Sequence, residues 1–205
     1  MKVSFLISFE GIDGCGKSTQ INLLKNELEN RDISSCILRE PGDTSISDKI
    51  REILLDKENN ICAESETLLF LAARAQLVRE KILPELEKGS LVICDRYYDS
   101  TLAYQGYGRN LDRSLINNLN KFAINKMIPL ITFILKLDPE IAFRRISKNE
   151  VDRMESGGLK FLQKVQKGYN FIAKSFPSRC YVINCKNKDK LTIHSEIMKT
   201  VNKYI

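Results

Sequence analysis

Two spacings of apolar residues alternate along this chain. Val3-Ser4-Phe5-Leu6-Ile7-Ser8-Phe9 is a short run rich in β-branched and aromatic residues, and it predicts a buried strand. After a glycine-rich turn, Ile21, Leu23, Leu24 and Leu28 recur at helical spacing. Ser35 to Leu38 predicts a second strand, ended by Pro41-Gly42, and Ile46 to Leu55 a helix. Glu64 to Leu86 predicts a long helix that Pro84 breaks or kinks near its end. Within it, Leu68-Leu69-Phe70-Leu71-Ala72-Ala73 is apolar on every side, as a helix buried on more than one face is. Core alone, or core plus a subunit interface, satisfies that pattern. Leu91-Val92-Ile93-Cys94 predicts a third strand and Leu130 to Leu137 a fourth, after which Asp138-Pro139 opens a helix. A helix from about Leu159 to Ser175 follows Gly157-Gly158; Cys180 to Asn184 is a fifth strand and Ile193 to Tyr204 a closing helix. Strands alternating with helices predict an α/β three-layer fold, a five-stranded parallel sheet with helices on both faces.

Composition narrows the class. A length of 205 residues predicts one domain, 1–205. With 43% hydrophobic and 28% charged residues the chain is globular, and global disorder is excluded. No apolar run approaches the ~20 residues that span a bilayer. The apolar opening is too short for a secretory signal and runs into Glu10, so a cytoplasmic protein with no membrane partner is expected. The single histidine, His194, argues against Ser–His or Cys–His catalysis and against His-based metal sites. Six cysteines without C-x-x-C spacing read as free thiols in a reducing compartment. A net charge of +6 without a block of five like charges predicts no nucleic-acid partner and suits small polyanions.

One segment carries specific chemistry. Gly11-Ile12-Asp13-Gly14-Cys15-Gly16-Lys17-Ser18 fits G-x-x-x-x-G-K-[ST], with a predicted strand before it and a helix after it. Small residues let successive backbone N–H groups turn inward around phosphate oxygens, and the following helix points its positive end at the same anion. Gly11 to Ser18, with Thr19, is the expected ATP cradle. Lys17 supplies a point charge for the β- and γ-phosphates, and Ser18 a hydroxyl for Mg²⁺. Leu91 to Asp95 is an apolar strand ending in a carboxylate at the same sheet edge, so Asp95 is the second expected Mg²⁺ contact. No N-K-x-D guanine reader is present: Asn125-Lys126-Met127-Ile128 lacks the Asp. Arg96, not Glu, follows Asp95, which favours phosphoryl transfer to a bound acceptor over hydrolysis.

The acceptor side is read from arginines. Arg39 and Arg96 end the second and third strands and should face the crevice. Arg74 lies one helical turn after Phe70, where an aromatic ring and a guanidinium can stack on a base and read its edge. By spacing alone Phe70 reads first as a core residue; Arg74, inside an apolar helix, requires a partner. Arg144, Arg145, Lys148 and Arg153 surround Asp152 in a polar stretch that reads as a basic lid, about residues 144–157, or as a solvated charged loop.

These segments together resemble the thymidylate kinases. Phe9 to Gln20, Leu69 to Gln76, Arg39-Glu40-Pro41-Gly42, Asp95 to Gly106 and Asp152-Arg153-Met154-Glu155 match that family in order and spacing, over residues 5 to about 170. The resemblance implies ATP- and Mg²⁺-dependent phosphorylation of dTMP to dTDP by direct in-line transfer, in a homodimer. It implies that Phe70 stacks on thymine and Arg74 reads its edge. Arg39 and Arg96 would hold the dTMP phosphate, and Asp13 would accept from the 3′-hydroxyl. Ser100, Thr101 and Gln105 would line the base pocket, with Tyr104 crowding the 2′ position. Lys17, Arg96 and Arg153 are the expected catalytic charges, and the Glu40-Pro41 bond is expected to be cis. A phosphate loop without a basic residue, beside a basic lid, resembles the bacterial-type branch.

Three positions depart from the pattern. Asp43 stands where a second glycine is usual and sets a carboxylate near the acceptor phosphate or in solvent. Lys148 replaces an arginine and loses bidentate geometry. Cys15 sits near a helix N-terminus, where thiol pKa values fall, which predicts inactivation by thiol reagents and protection by ATP; a small, tolerated residue is the other reading. The competing functions are a P-loop kinase for another (deoxy)nucleotide, a non-catalytic nucleotide-binding module, and a nucleic-acid-dependent ATPase.

Overall fold

A computed structural model describes residues 4–146, 153–154 and 157–205. Its sheet has five parallel strands in the order β2-β3-β1-β4-β5: β1 Leu6–Glu10, β2 Ser35–Arg39, β3 Leu91–Asp95, β4 Ile131–Lys136 and β5 Cys180–Asn184. β1 is central and wholly buried because both faces are covered. Ile7 and Phe9 join one core with Leu24, Ile93, Phe133 and Leu135. Leu6 joins the other, with Leu38, Val92 and Ile82. Ser8, buried between them, is satisfied by the Thr132 hydroxyl at 2.9 Å.

The register pairs Phe9 with Asp95, and Arg39 with Asp95. The strand ends are therefore level, and the residues after them (Gly11, Glu40 and Arg96) emerge at one edge. β1 feeds α1, Lys17–Asn30, through the glycine-rich turn. α2, Ser45–Leu55, is capped by Thr44 Oγ1, which accepts from the Ser47 N–H at 3.1 Å.

The long predicted helix differs in detail. α3, Ala63–Leu77, passes through a π-helical turn, Val78–Ile82, into α4, Leu83–Lys88, without a break. Pro84 falls in the first turn of α4, where its missing N–H costs least. Gly89, at φ 89°, ends the run. Sequence periodicity did not pick out the segment after β3. There α5, Tyr98–Thr101, runs into a π-helical turn, Leu102–Gly108, and α6, Arg113–Ile124, follows with Asp112 as its cap. α7 is Pro139–Ile146, α8 Gly158–Ser175 and α9 Lys190–Val201.

Of the all-round apolar stretch on α3, Leu68 is exposed, and Leu115 and Phe122 are exposed on α6, which packs against α3. Of the predicted lid, Lys148, Asp152 and Glu155 lie outside the described residues. Among the described residues no helix is long and apolar enough to cross a membrane.

Candidate active site

The turn between β1 and α1 can be built only with glycine at its first position. Gly11 has φ 138°, and a Cβ there would lie 2.5 Å from the Leu135 carbonyl oxygen. Gly14, at φ 75°, is similarly pressed against the Ala142 carbonyl oxygen at 2.9 Å. Both also take the left-handed region that L side chains rarely adopt. Lys17 Nζ donates to the carbonyls of Gly11 at 3.2 Å and Ile12 at 3.3 Å. Ser18 Oγ donates to Asp95 Oδ2 at 3.1 Å, so two hard oxygen donors converge beside the loop. Arg145 Nη1 donates to the Gly14 carbonyl at 3.0 Å and adds a second cation. Gly14, Lys17, Ser18, Asp95 and Arg145, with Arg39 and Thr19, line an open cleft.

Cys15 corrects an expectation. Its side chain is 2% exposed, and burial pushes the thiol up, outweighing the nearby Lys17 and Arg96 charges. The helix N-terminus lowers a thiol only where water still solvates the thiolate.

A second, smaller pocket adjoins the first and shares Asp13, Glu40, Arg51 and Arg96 with it. Arg96 is the junction. It has φ 72°, a region in which a non-glycine residue is strained. Its side chain over-determines that conformation. Nη1 donates to the Gly11 carbonyl at 3.1 Å, the Tyr169 hydroxyl at 3.2 Å and Ser100 Oγ at 3.3 Å. Nη2 pairs with Asp13 and donates to the Tyr104 hydroxyl at 3.0 Å. Tyr104 donates in turn to Asp13 Oδ2 at 2.7 Å. Burial alone would raise the Asp13 carboxyl, but Arg96 and Lys17 hold it well below the usual carboxylate range.

Beneath this junction Glu10, fully buried at the end of β1, accepts from the Tyr97 N–H at 2.8 Å, Ser100 Oγ at 2.6 Å and the Tyr169 hydroxyl at 3.0 Å. Burial, and then the Asp99 charge, push its carboxyl up to about 7.

Arg74 has the partner its burial demands. Nε and Nη2 reach Glu40 Oε2 at 2.8 and 2.7 Å. Nη1 donates to Thr101 Oγ1 at 2.7 Å and Asn120 Oδ1 at 2.9 Å, and Nη2 to the Tyr97 carbonyl at 3.3 Å. A donor to a base edge must be shared with one of these. Phe70 satisfies both of its readings: it packs on the core and lines the smaller pocket. Ser100, Thr101, Tyr104 and Gln105 stand on the same wall, and the Glu40-Pro41 bond is cis.

Arg39 is exposed on the wall of the larger cleft. Asp43, at φ 64°, turns its carboxylate back to the Arg39 backbone N–H. The extra charge is thereby taken up by the turn itself. Arg153 is not at the phosphate loop. Its Nη1 pairs with Glu66 Oε2 at 2.8 Å, its Nε donates to the Leu54 carbonyl at 2.7 Å, and its backbone N–H to the Leu55 carbonyl at 3.2 Å.

Sequence reasoning missed Glu66, Arg51, Asn120 and Tyr169. Only Glu66 carried a signal: an acid inside an apolar helix needs a cation as much as Arg74 does.

The oxygen-only donor pair of Ser18 and Asp95 fits Mg²⁺, which keeps several waters and takes its remaining ligands from phosphate.

The sequence model of the family described as "Thymidylate kinase" matches residues 9–197. A thymidylate kinase of Caldanaerobacter subterraneus subsp. tengcongensis is 44% identical over 199 residues, covering 97% of this chain and 95% of the relative. One of Chlorobaculum tepidum is 44% identical over 207 residues, covering 96% of each. The crystal structure of thymidylate kinase from Ehrlichia chaffeensis superposes with a TM-score of 0.79 at 38% identity, covering 97% of this chain and 98% of that one.

Proposed function

Because this chain belongs to the thymidylate kinase family and phosphorylates dTMP to dTDP with ATP, we propose that the transfer occurs where its two pockets meet, at Asp13 and Arg96. That shared wall is the observation that carries the assignment. The larger cleft receives the ATP phosphates on the backbone of Gly11 to Thr19, with Lys17 against the β- and γ-phosphates. The smaller pocket receives dTMP. Its base lies against Phe70, within reach of Arg74, Ser100, Thr101 and Gln105. Asp13 accepts from the 3′-hydroxyl, and Tyr104 closes the space beside the sugar. Arg39 and Arg96 hold the acceptor phosphate.

A phosphate oxygen of dTMP attacks the γ-phosphorus as the bond to the β-phosphate oxygen breaks, and ADP departs. The nucleophile is already ionised, so no histidine base is needed. Positioning and charge neutralisation supply the catalysis. Arg153 is assigned to the transferring phosphoryl group, where it exchanges Glu66 and the Leu54 carbonyl for phosphoryl oxygens. Ser18 and Asp95 would hold Mg²⁺, which supplies positive charge to the bridging phosphates when bound. The protein is assigned to the cytoplasm as one domain, and as a homodimer through the face bearing Leu68, Leu115 and Phe122, whose exposed apolar side chains support a second copy as partner.

The test is ADP release from Mg-ATP with dTMP, dUMP, UMP, dCMP, dAMP and thymidine in parallel. Fast turnover on dTMP, slower on dUMP and negligible on the others is expected. A preference for dCMP would overturn the base-pocket assignment, and a preference for UMP over dUMP the assignment of Tyr104 to the sugar.

A further inference from the structure

We propose that Glu66 is a positioning residue that fixes which end of the Gln105 amide faces the base, and so sets the preference of the acceptor pocket for a pyrimidine carrying a proton on N3. The inference rests on the reading above that Gln105 borders the base of dTMP.

Glu66 sits on α3 with none of its surface exposed. Its Oε1 accepts from Gln105 Nε2 at 2.9 Å and from Arg109 Nε at 3.1 Å. Its Oε2 accepts from Arg109 Nη2 at 2.9 Å and pairs with Arg153 Nη1 at 2.8 Å. Arg109, through two bonds, keeps this carboxylate ionised even when Arg153 turns to the phosphoryl group, and an ionised carboxylate accepts hydrogen bonds without donating. Gln105 must therefore turn its NH₂ group to Glu66. Its carbonyl oxygen is the end left for the pocket that Gln105 lines, and no described residue donates to that oxygen.

An acceptor at this place matches the N3–H of thymine or uracil. The N3 of neutral cytosine is itself an acceptor, so the two lone pairs face each other. Discrimination of this kind, by an unpaired or repelled polar group, is far stronger than any that size alone can give. The residue that enforces it never touches the base.

The decisive variant is Glu66→Gln. Its amide oxygen takes the Oε2 position, where two guanidinium groups donate, and its NH₂ takes the Oε1 position, where it faces Gln105 and leaves the single Arg109 Nε–H without its acceptor. Gln105 then rotates to offer its own oxygen to residue 66 and its NH₂ to the pocket. The kcat/KM ratio of dTMP over dCMP is expected to fall at least tenfold. In a Gln105→Met background the same substitution is expected to leave that ratio unchanged. A merely structural role for Glu66 would lower both substrates in parallel and leave the ratio intact in either background, which overturns the proposal. If Gln105→Met by itself leaves the ratio unaltered, the base-pocket reading fails instead.

A measurement on the unsubstituted protein does not depend on any variant folding. The Gln105 Nε2 protons, followed by NMR, are expected to be protected from solvent exchange with and without dTMP. Protons that exchange freely until dTMP binds would put the NH₂ in the pocket and refute the assignment.

Discussion

Replacing Arg74 with methionine tests the burial argument at its most demanding point. The substitution keeps the length of the apolar stem and removes the cation. Arg74 is 2% exposed and Glu40 4%, so neither is screened by water. All five N–H groups of Arg74 are engaged, two of them on Glu40 Oε2, while no described residue donates to Glu40 Oε1. Without Arg74 the Glu40 carboxylate loses both of its hydrogen bonds and the cation paired with it. Removing one partner of a buried pair costs about 3–5 kcal/mol, against a total stability of about 5–15 kcal/mol. At a urea dependence of about 2 kcal/mol per molar, the midpoint falls by roughly 2 M. The loss depends on pH with a definite sign. Burial raises the Glu40 carboxyl against the pull of Arg74, and removing Arg74 raises it further. The folded variant then takes up a proton before the unfolded chain does, so the stability lost at pH 8 returns as the pH falls toward 5. Adding Glu40→Gln restores most of the midpoint at pH 8, because the uncompensated charge is gone. Urea unfolding followed by circular dichroism reads all three variants. A midpoint drop under about 0.5 M, a loss equal at pH 5 and pH 8, or no recovery in the double variant would refute the reasoning.

Two further predictions follow from buried titrating groups. Between 4.5, the ordinary value of a glutamate, and about 7, the folded protein holds a proton on Glu10 that the unfolded chain has lost. This group's contribution is therefore full at the low end and declines by about 1.4 kcal/mol per pH unit until it levels off above 7. Glu10→Gln should remove that decline from the urea-midpoint profile, and an unchanged profile would reject the assignment. At the thiols, N-ethylmaleimide at pH 7.5 should label exposed Cys62 ahead of buried Cys15, with phosphoryl transfer retained and no protection by ATP. Peptide mapping that finds Cys15 labelled first, with activity lost, would restore the reactive-thiol reading.

What the sequence made legible and what it hid divide along one physical line. The phosphate loop was readable because its chemistry is local: glycines at φ 138° and 75° are required by the turn itself, and Lys17 and Ser18 follow within the same segment. Arg39 and Arg96 were readable because a parallel sheet brings strand ends to one edge, and the register of β1, β2 and β3 does so. The sequence demanded a partner for Arg74 but did not identify it, because Glu40 lies 34 residues away and only tertiary packing selects it. The Cys15 expectation failed for the same reason. A helix end is visible in sequence, whereas the burial that outweighs it is not. Pro84 was read as a break or kink because the adjoining π-helical turn, which lets a new first turn begin beside it, has no sequence signature of its own. Arg96 joins the two kinds of information. Its place at a strand end was local, but its left-handed backbone persists only because Asp13, Gly11, Tyr104, Ser100 and Tyr169 converge on it from the phosphate loop, the turn after β3 and α8. The strain is therefore held by groups around the junction of the two pockets, of which Asp13 lines both. A change that loosened any of them would be felt first at the point where donor and acceptor phosphates must align to within a fraction of an ångström.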